Sequence, residues 1–229
     1  MTQTGYKGIP SDLTLDKVAE MVEPKVSRKR FGHIEGVAKV AKKLAEKTGC
    51  DPYLAELAGL LHDTCKEVKD IELVAMARKY GLKPTPVEEQ NGHLLHGPVS
   101  ACYAREHWGV TNQEVLDAIS EHTLGAVDMS TLSKVVFLAD CLEESRPKSY
   151  TDPIWQALED GYALGSGGTG SGKRVKDHAF KVNLDAAMLV ALNLGLQQLV
   201  DDDRTIHPKT VDVRNWLLLT IKTTSAQKA

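Results

Sequence analysis

The sequence lacks the features of exported, membrane-spanning or strongly cationic proteins. It has no uninterrupted apolar run of about 18 residues, so no transmembrane helix is expected. Its start, MTQTGYKGIPSD, has no basic patch followed by an apolar stretch, so no signal peptide is expected. With 28 Lys and Arg against 31 Asp and Glu, the chain has no cationic surplus, and neither a nucleic acid nor a membrane is an expected partner.

Cysteine is scarce, and its positions exclude a zinc-binding or redox pair. The four cysteines form no CxxC motif and are Cys50, Cys65, Cys102 and Cys141. In a chain without an export signal this favours reduced, packed thiols and a cytoplasmic location. Cys141 neighbours an acidic residue but points away around the predicted helix, so we interpret it as a packed thiol rather than a metal ligand.

The alternation typical of strands is also missing, whereas apolar residues recur at helical spacing along most of the chain. With 229 residues, 42% of them hydrophobic, the chain can bury a core without disulfides. Ser11, Asp51 and Ser130 are the expected N-caps of three of the helices. The predicted helices span 12–22, 31–49, 52–62, 71–80, 98–108, 111–122, 132–143, 185–200 and 208–220, with a loop at 81–90. The pattern predicts an all-α, single-domain fold.

One segment stands apart in composition. Residues 165–172 read GSGGTGSG, which is typical of a flexible linker. The segment lacks the GxxxxGK[ST] spacing of a phosphate-binding loop, and no predicted strand precedes it. We therefore predict a plain linker, and the sequence leaves open whether it is native or introduced.

Histidines and acids occur where helices should be apolar or should end at a cleft. They are His33, the doublet His62-Asp63, His96, His122 and Asp140. Asp140 continues an apolar stripe, where an isolated carboxylate would cost several kcal/mol unless it is paired or binds a metal. A single inward histidine is more often an ordinary core residue, but the whole series predicts a metal site. Nitrogen and oxygen donors suit Fe, Mn, Zn or Ni rather than a thiolate-bound zinc.

Cationic side chains flank these predicted ligands. Lys66 follows the His62-Asp63 doublet on the same predicted helix face. Arg30 precedes His33 by three residues, and Arg146 follows Asp140 by six. Each of these cations alone would most simply be a surface residue. Together, beside a metal, they predict a site for a phosphate ester.

The series H…HD…D resembles the signature of the HD-domain metal-dependent phosphohydrolases. Further segments resemble the YqeK family of symmetrical bis(5′-nucleosyl)-tetraphosphatases, namely RFGHIEGVA, AGLLHDTCKE, HLLHGPVSA, EHT, FLADCLEESR and RTIHPKTVDVRNW. The resemblance covers 13–218 apart from 161–181, where the chain has extra residues. It implies symmetrical cleavage of diadenosine tetraphosphate into two ADP, and a homodimer is a further possibility. It also implies an HD helical bundle at 27–147, after an extension at 1–26 and before C-terminal helices of the same domain at 148–229.

The resemblance also implies roles for individual residues. The implied metal ligands are His33, His62, Asp63 and Asp140 for a principal iron, with His96 and His122 completing a second metal position or contacting phosphate. The implied nucleotide- and phosphate-binding residues are Arg30, Lys66, His96, His122, Arg146, Arg204 and His207. Asp63, Lys66 and Arg146 are the implied catalytic residues. The implied cofactor is one or two iron ions, with manganese or another divalent metal as the alternative.

Two other functions stay open at this point. An HD phosphohydrolase acting on nucleoside mono- or triphosphates, or on a guanosine polyphosphate, would keep the site and change the pocket. A non-catalytic nucleotide-sensing module would bind a nucleotide without turning it over. The sequence also leaves open the number of metal ions, the base preference and the identity of any proton-donating histidine.

Overall fold

The computed structural model describes residues 5–162 and 182–226, and within these ranges it contains helices and no strand. The α-helices are α1 (Leu15–Val22), α2 (Arg28–Thr48), α3 (Pro52–Leu61), α4 (Asp70–Lys79), α5 (Pro86–Gln90), α6 (His96–Trp108), α7 (Gln113–Glu121), α8 (Thr131–Leu142), α9 (Lys148–Asp160), α10 (Leu184–Asp201) and α11 (Pro208–Ala226). Short 3-10 helices lie at Glu23–Lys25 and Gly92–Leu95. The prediction of an all-α fold is confirmed.

The first helix shows that the predicted cap was wrong. Ser11 does not cap it, because the helix begins only at Leu15, where the Thr14 hydroxyl accepts the backbone N–H of Lys17 at 3.2 Å. A cap must lie directly before the first helical turn, and Thr14 meets that requirement. Asp51 is a cap as predicted, since its carboxylate accepts two backbone N–H groups at the start of α3.

The start of α2 differs from the prediction in a way that matters for the site. The helix begins at Arg28, three residues before the predicted Phe31, because the Ser27 hydroxyl accepts the backbone N–H of Arg30 at 3.2 Å. Arg30 therefore belongs to the first turn of α2 rather than to the preceding loop. Gly49 ends the helix in the left-handed conformation at φ 74°, as the sequence predicted.

Two helices were not predicted. Part of the expected loop at 81–90 is α5, which a reciprocal capping box between Thr85 and Glu88 starts. The helix α9 has Pro153 within it, a residue type that disfavours helix interiors. In addition, α6 begins at His96 rather than Pro98, because the preceding 3-10 helix continues directly into it.

A single large apolar cluster runs from Ile9 to Leu217 and joins side chains of the N-terminal, central and C-terminal parts of the chain. The confirmed single domain follows from this shared core, whereas the subdivision at 1–26, 27–147 and 148–229 stays a prediction. The helices α2 and α3 pack very closely at Gly59, where a Cβ would lie 2.7 Å from Ala38 Cα. This packing holds the end of α3, and the residues after it, against α2.

The predicted linker at 165–172 lies outside the described residues. Among the helices that the structure does describe, none is long and apolar enough to cross a membrane.

Candidate metal centre

The six predicted metal ligands come together from five helices. His33 lies within α2, His62 is the C-cap of α3 and Asp63 follows it, while Asp140 lies in the last turn of α8. His96 opens α6, and His122 is the C-cap of α7. Their donor atoms form three groups, each within 4.8 Å, namely His33/His62/Asp63, His62/His122/Asp140 and Asp63/His96/His122.

The carboxylate of Asp63 lies at the centre and divides the four imidazoles into two pairs. Its Oδ2 is 4.0 Å from His33 Nε2 and 3.5 Å from His62 Nε2. Its Oδ1 is 3.2 Å from His96 Nε2 and 3.5 Å from His122 Nε2. Each oxygen thus faces its own pair of nitrogens, so Asp63 could contribute to either candidate ligand group.

The histidines at helix ends share one hydrogen-bonding pattern. In each, Nδ1 donates to the backbone carbonyl three residues earlier; the pairs are His62 with Gly59 at 2.6 Å, His122 with Ile119 at 2.7 Å, and His96 with His93. A carbonyl oxygen can only accept, so the hydrogen lies on Nδ1 and the Nε2 lone pair points to the centre. This is the orientation that metal-binding histidines adopt.

The donor atoms at the centre fit a bound cation. The Nε2 atoms of His96 and His122 lie 2.9 Å apart, and both face the carboxylate of Asp63. Among the described residues, His33 Nε2, His62 Nε2 and Asp63 Oδ1 are buried without a hydrogen bond. Buried polar atoms rarely lack partners, and these nitrogen and carboxylate donors suit a divalent metal.

Both carboxylates of the centre stay ionised. Burial would raise the pKa of Asp63, but the neighbouring His62, His122 and His96 lower this pKa well below its usual range. Burial would also raise the pKa of Asp140, and the neighbouring His33, His62 and Arg146 lower it instead. Ionised carboxylates are the form that binds metal.

Two of the predicted phosphate-binding cations are anchored on these carboxylates. Arg30 Nη1 donates to Asp63 Oδ2 at 3.1 Å, while its Nε is buried and makes no hydrogen bond within the described residues. Arg146 donates through Nη2 to Asp140 Oδ1 at 2.7 Å and through Nε to the Asp140 carbonyl at 3.1 Å. Both guanidinium groups, with Lys29, line a pocket of about 600 Å³ beside the centre.

Lys66 contacts the centre at His96. Its Nζ lies 3.2 Å from His96 Nε2. Burial lowers the pKa of His96 to about 4, so this imidazole is neutral and accepts from the ammonium. Burial is also the main cause of the lowered pKa of Lys66. The cation is therefore held close to the donor atoms rather than in solvent.

Two residues at the centre were not predicted. The Thr123 hydroxyl lies 3.0 Å from His96 Nε2 and 3.1 Å from His122 Nε2. The Glu143 carboxylate accepts from His33 Nδ1 at 3.1 Å. The motif EHT contains Thr123 and FLADCLEESR contains Glu143, so both lay beside predicted residues, but neither interrupts an apolar stripe. Burial would raise the pKa of Glu143, and hydrogen bonds from Ser145 and His33 lower it.

The structure does not bring the last two predicted phosphate-binding residues into contact with the donor atoms. His207 packs against the start of α5, with Nε2 3.4 Å from Thr85 Oγ1 and 3.7 Å from Glu88 Oε1. Arg204 is exposed in the turn before α11. Their roles stay predictions.

Burial raises the pKa of the Cys141 thiol to about 12, in keeping with a packed thiol.

Comparison with known proteins agrees with this geometry. A family model for the HD domain matches residues 30–145. The chain is 31% identical to the symmetrical bis(5′-nucleosyl)-tetraphosphatase of Halalkalibacterium halodurans, over 89% of this chain and 96% of that protein. It is 30% identical to the protein of the same name from Staphylococcus aureus, over 89% of this chain and 94% of that one.

A solved structure shares the fold. The crystal structure described as a predicted HD superfamily hydrolase involved in NAD metabolism, from Clostridium acetobutylicum, superposes with a TM-score of 0.78 at 25% identity. The similarity covers 91% of this chain and 98% of that one. The chain therefore belongs to the HD domain family and, within it, to the family of the symmetrical bis(5′-nucleosyl)-tetraphosphatases.

Proposed function

We propose that the chain hydrolyses diadenosine tetraphosphate symmetrically and releases two ADP. The observation that carries this proposal is the Asp63 carboxylate, which divides four imidazoles into two pairs beside Arg30, Lys66 and Arg146. Nitrogen and oxygen donors beside three cations suit a substrate that carries several phosphates. The names and extensive coverage of the relatives support the dinucleoside polyphosphate as substrate.

Iron is the proposed cofactor, as one or two ions, with manganese as the alternative. The residues that would hold the principal ion are His33, His62, Asp63 and Asp140, and those that would hold a second are Asp63, His96 and His122. A divalent cation, when bound, neutralises charge on phosphate oxygens and makes a water molecule more acidic. Metal analysis of the purified protein tests the preference for iron.

The cationic side chains of the chain bind and orient the polyphosphate. Arg30 and Arg146 are each held by a carboxylate of the candidate ligand set, and both line the pocket. Lys66 stabilises the charge that develops as a central phosphoanhydride bond breaks. The oxygen of a water molecule forms the new bond to phosphorus. One ADP leaves with the electrons of the broken P–O bond. Arg204 and His207 contact the nucleotide farther from the centre.

Product analysis in ¹⁸O-labelled water tests the proposed reaction. Diadenosine tetraphosphate incubated with the Fe²⁺-loaded protein should yield two ADP per substrate. One of the two ADP molecules should carry one labelled oxygen. Formation of ATP and AMP would contradict the symmetrical cleavage. Turnover only of nucleoside mono- or triphosphates or of a guanosine polyphosphate would favour another phosphohydrolase. Bound but uncleaved dinucleotide after long incubation would favour a sensing module.

Replacement of Lys66 by methionine tests the charge at the other side of the centre. Because the ammonium is held 3.2 Å from His96 Nε2, we expect Lys66→Met to lower kcat by about 10²- to 10³-fold, as removal of one charge-stabilising donor does in other enzymes. Steady-state kinetics with diadenosine tetraphosphate measure this effect. The exposed Lys69, three residues later, provides the control Lys69→Met, which should leave kcat unchanged. Equal rates in both variants would exclude Lys66 from the reaction.

We also propose the organisation that the resemblance implies. Residues 27–147 form the catalytic core, 1–26 an extension, and 148–229 the C-terminal helices of the same domain. A homodimer in the cytoplasm is the proposed state, and light scattering on the purified protein tests the oligomeric state.

A further inference from the structure

Glu143 is a buried carboxylate that belongs to none of the metal-ligating groups. It follows α8 directly and is 6% exposed. Its Oε2 accepts from His33 Nδ1 at 3.1 Å and from the hydroxyl of Ser145, while its Oε1 accepts the backbone N–H of Ser145 at 3.1 Å. Both carboxylate oxygens are thus fixed by donors, and one of these donors is the ring of a predicted ligand.

The helix that carries His33 has a matching space. Gly36 lies three residues after His33 on α2, and a Cβ built there would come within 2.7 Å of both Glu143 Cγ and Oε1. Helix interiors disfavour glycine by roughly 0.5–1 kcal/mol relative to alanine. At this position glycine lets the carboxylate lie directly against the helix, within reach of the imidazole.

His33 differs from the other three histidines in its position within a helix. The other three histidines lie at helix ends and donate Nδ1 to backbone carbonyls of the preceding turn. His33 is in the second turn of the 21-residue helix α2, where the helix itself uses the preceding carbonyls. Its Nδ1 instead faces a side chain from outside α2, the charged carboxylate of Glu143.

We propose that Glu143 is a positioning residue that orients His33, keeps its Nε2 free for the metal and thereby sets the metal affinity of the principal position. The proposal rests on the metal site of the proposed function. A carboxylate behind a ligating imidazole also increases the basicity of that imidazole, and loss of such a partner commonly weakens metal binding about 10- to 100-fold.

Cobalt(II) is the probe, because its visible absorption reports the geometry of the ligands. We expect Glu143→Ala to weaken Co²⁺ binding about 10- to 100-fold and to change the visible spectrum of the bound ion. Glu143→Gln keeps an acceptor oxygen without the charge and should weaken binding less. Gly36→Ala should resemble Glu143→Ala, because the added methyl group displaces the carboxylate. The exposed neighbour provides the control Glu144→Ala, with wild-type affinity and spectrum.

Wild-type affinity and spectrum in folded Glu143→Ala would overturn the proposal, even if that variant unfolds at a lower temperature without metal. Equal losses of Co²⁺ affinity in the near-isosteric Glu143→Gln and in the control Glu144→Ala would overturn the proposal as well. The variant Asp63→Ala separates this result from failure of the metal site. If Asp63→Ala still binds Co²⁺, the proposed function is contradicted. If Asp63→Ala loses Co²⁺ binding while Glu143→Ala binds Co²⁺ normally, only the role of Glu143 is contradicted.

Discussion

Replacement of Asp63 by alanine is expected to remove divalent-metal binding and to lower hydrolysis of diadenosine tetraphosphate by about 10³-fold or more. Both carboxylate oxygens face pairs of Nε2 atoms at 3.2–4.0 Å, so the substitution removes the one carboxylate that two of the candidate ligand groups share. Loss of the charge stabilisation that a metal supplies costs several kcal/mol, and each 1.36 kcal/mol is a factor of about ten in rate. Metal analysis and steady-state kinetics measure the two effects.

The helical circular dichroism signal should persist in Asp63→Ala, because the apolar core lies outside the ligand cluster. An exposed aspartate in the first turn of α1 provides the control Asp16→Ala, which should retain metal and activity. Normal metal content and turnover in folded Asp63→Ala would refute the metal-dependent function.

Replacement of Gly59 by alanine should destabilise the protein, although alanine normally favours a helix. The new Cβ would lie 2.7 Å from Ala38 Cα and 3.1 Å from Ala38 N, which are backbone atoms of α2 that cannot rotate away. Overpacking of this kind costs about 1–3 kcal/mol. For a chain of this length we expect the thermal unfolding temperature to fall by about 2–4 °C for each kcal/mol.

The same substitution at Gly195 provides a matched control. Gly195 lies within α10, and a Cβ there meets no heavy atom within 4 Å. Gly195→Ala should therefore stabilise the helix by roughly 0.5–1 kcal/mol. Calorimetry of both variants shows whether each substitution raises or lowers the stability of the protein. A stabilised Gly59→Ala would show that α2 and α3 separate at low cost. A fall in metal affinity in Gly59→Ala is also expected, because His62 donates to the Gly59 carbonyl.

The candidate metal ligands could be predicted because they lie where a helix should be apolar or where a helix ends. His122 and Asp140 continue apolar stripes, and the doublet of His62 and Asp63 ends one, so burial of a polar side chain could be inferred from spacing alone. The residues behind the ligands leave no such trace. Glu143 follows the end of its helix, and Thr123 follows a ligand, so either would be unremarkable on a solvent-exposed surface.

Local chemistry also explains which helix boundaries were predictable. Asp51 and Gly49 act on backbone groups within a few residues, and their effects follow from sequence. Ser11 and Thr14 are both acceptable caps by composition, and the choice between them depends on how α1 packs. The proline within α9 opposed a helix locally, but Ile154 and Leu158 are buried in the core and stabilise it.

The sequence by itself determined the all-α class and predicted the side chains that come together at the candidate metal centre, because helical periodicity and buried polar residues are local properties. The tertiary structure alone decided which oxygen of Asp63 faces which imidazoles, that Glu143 lies behind His33, and that Lys66 reaches His96. Except for the adjacent His62 and Asp63, these contacts join residues 30 to 110 positions apart, and the packing of helices, at glycines such as Gly36 and Gly59, sets their distances.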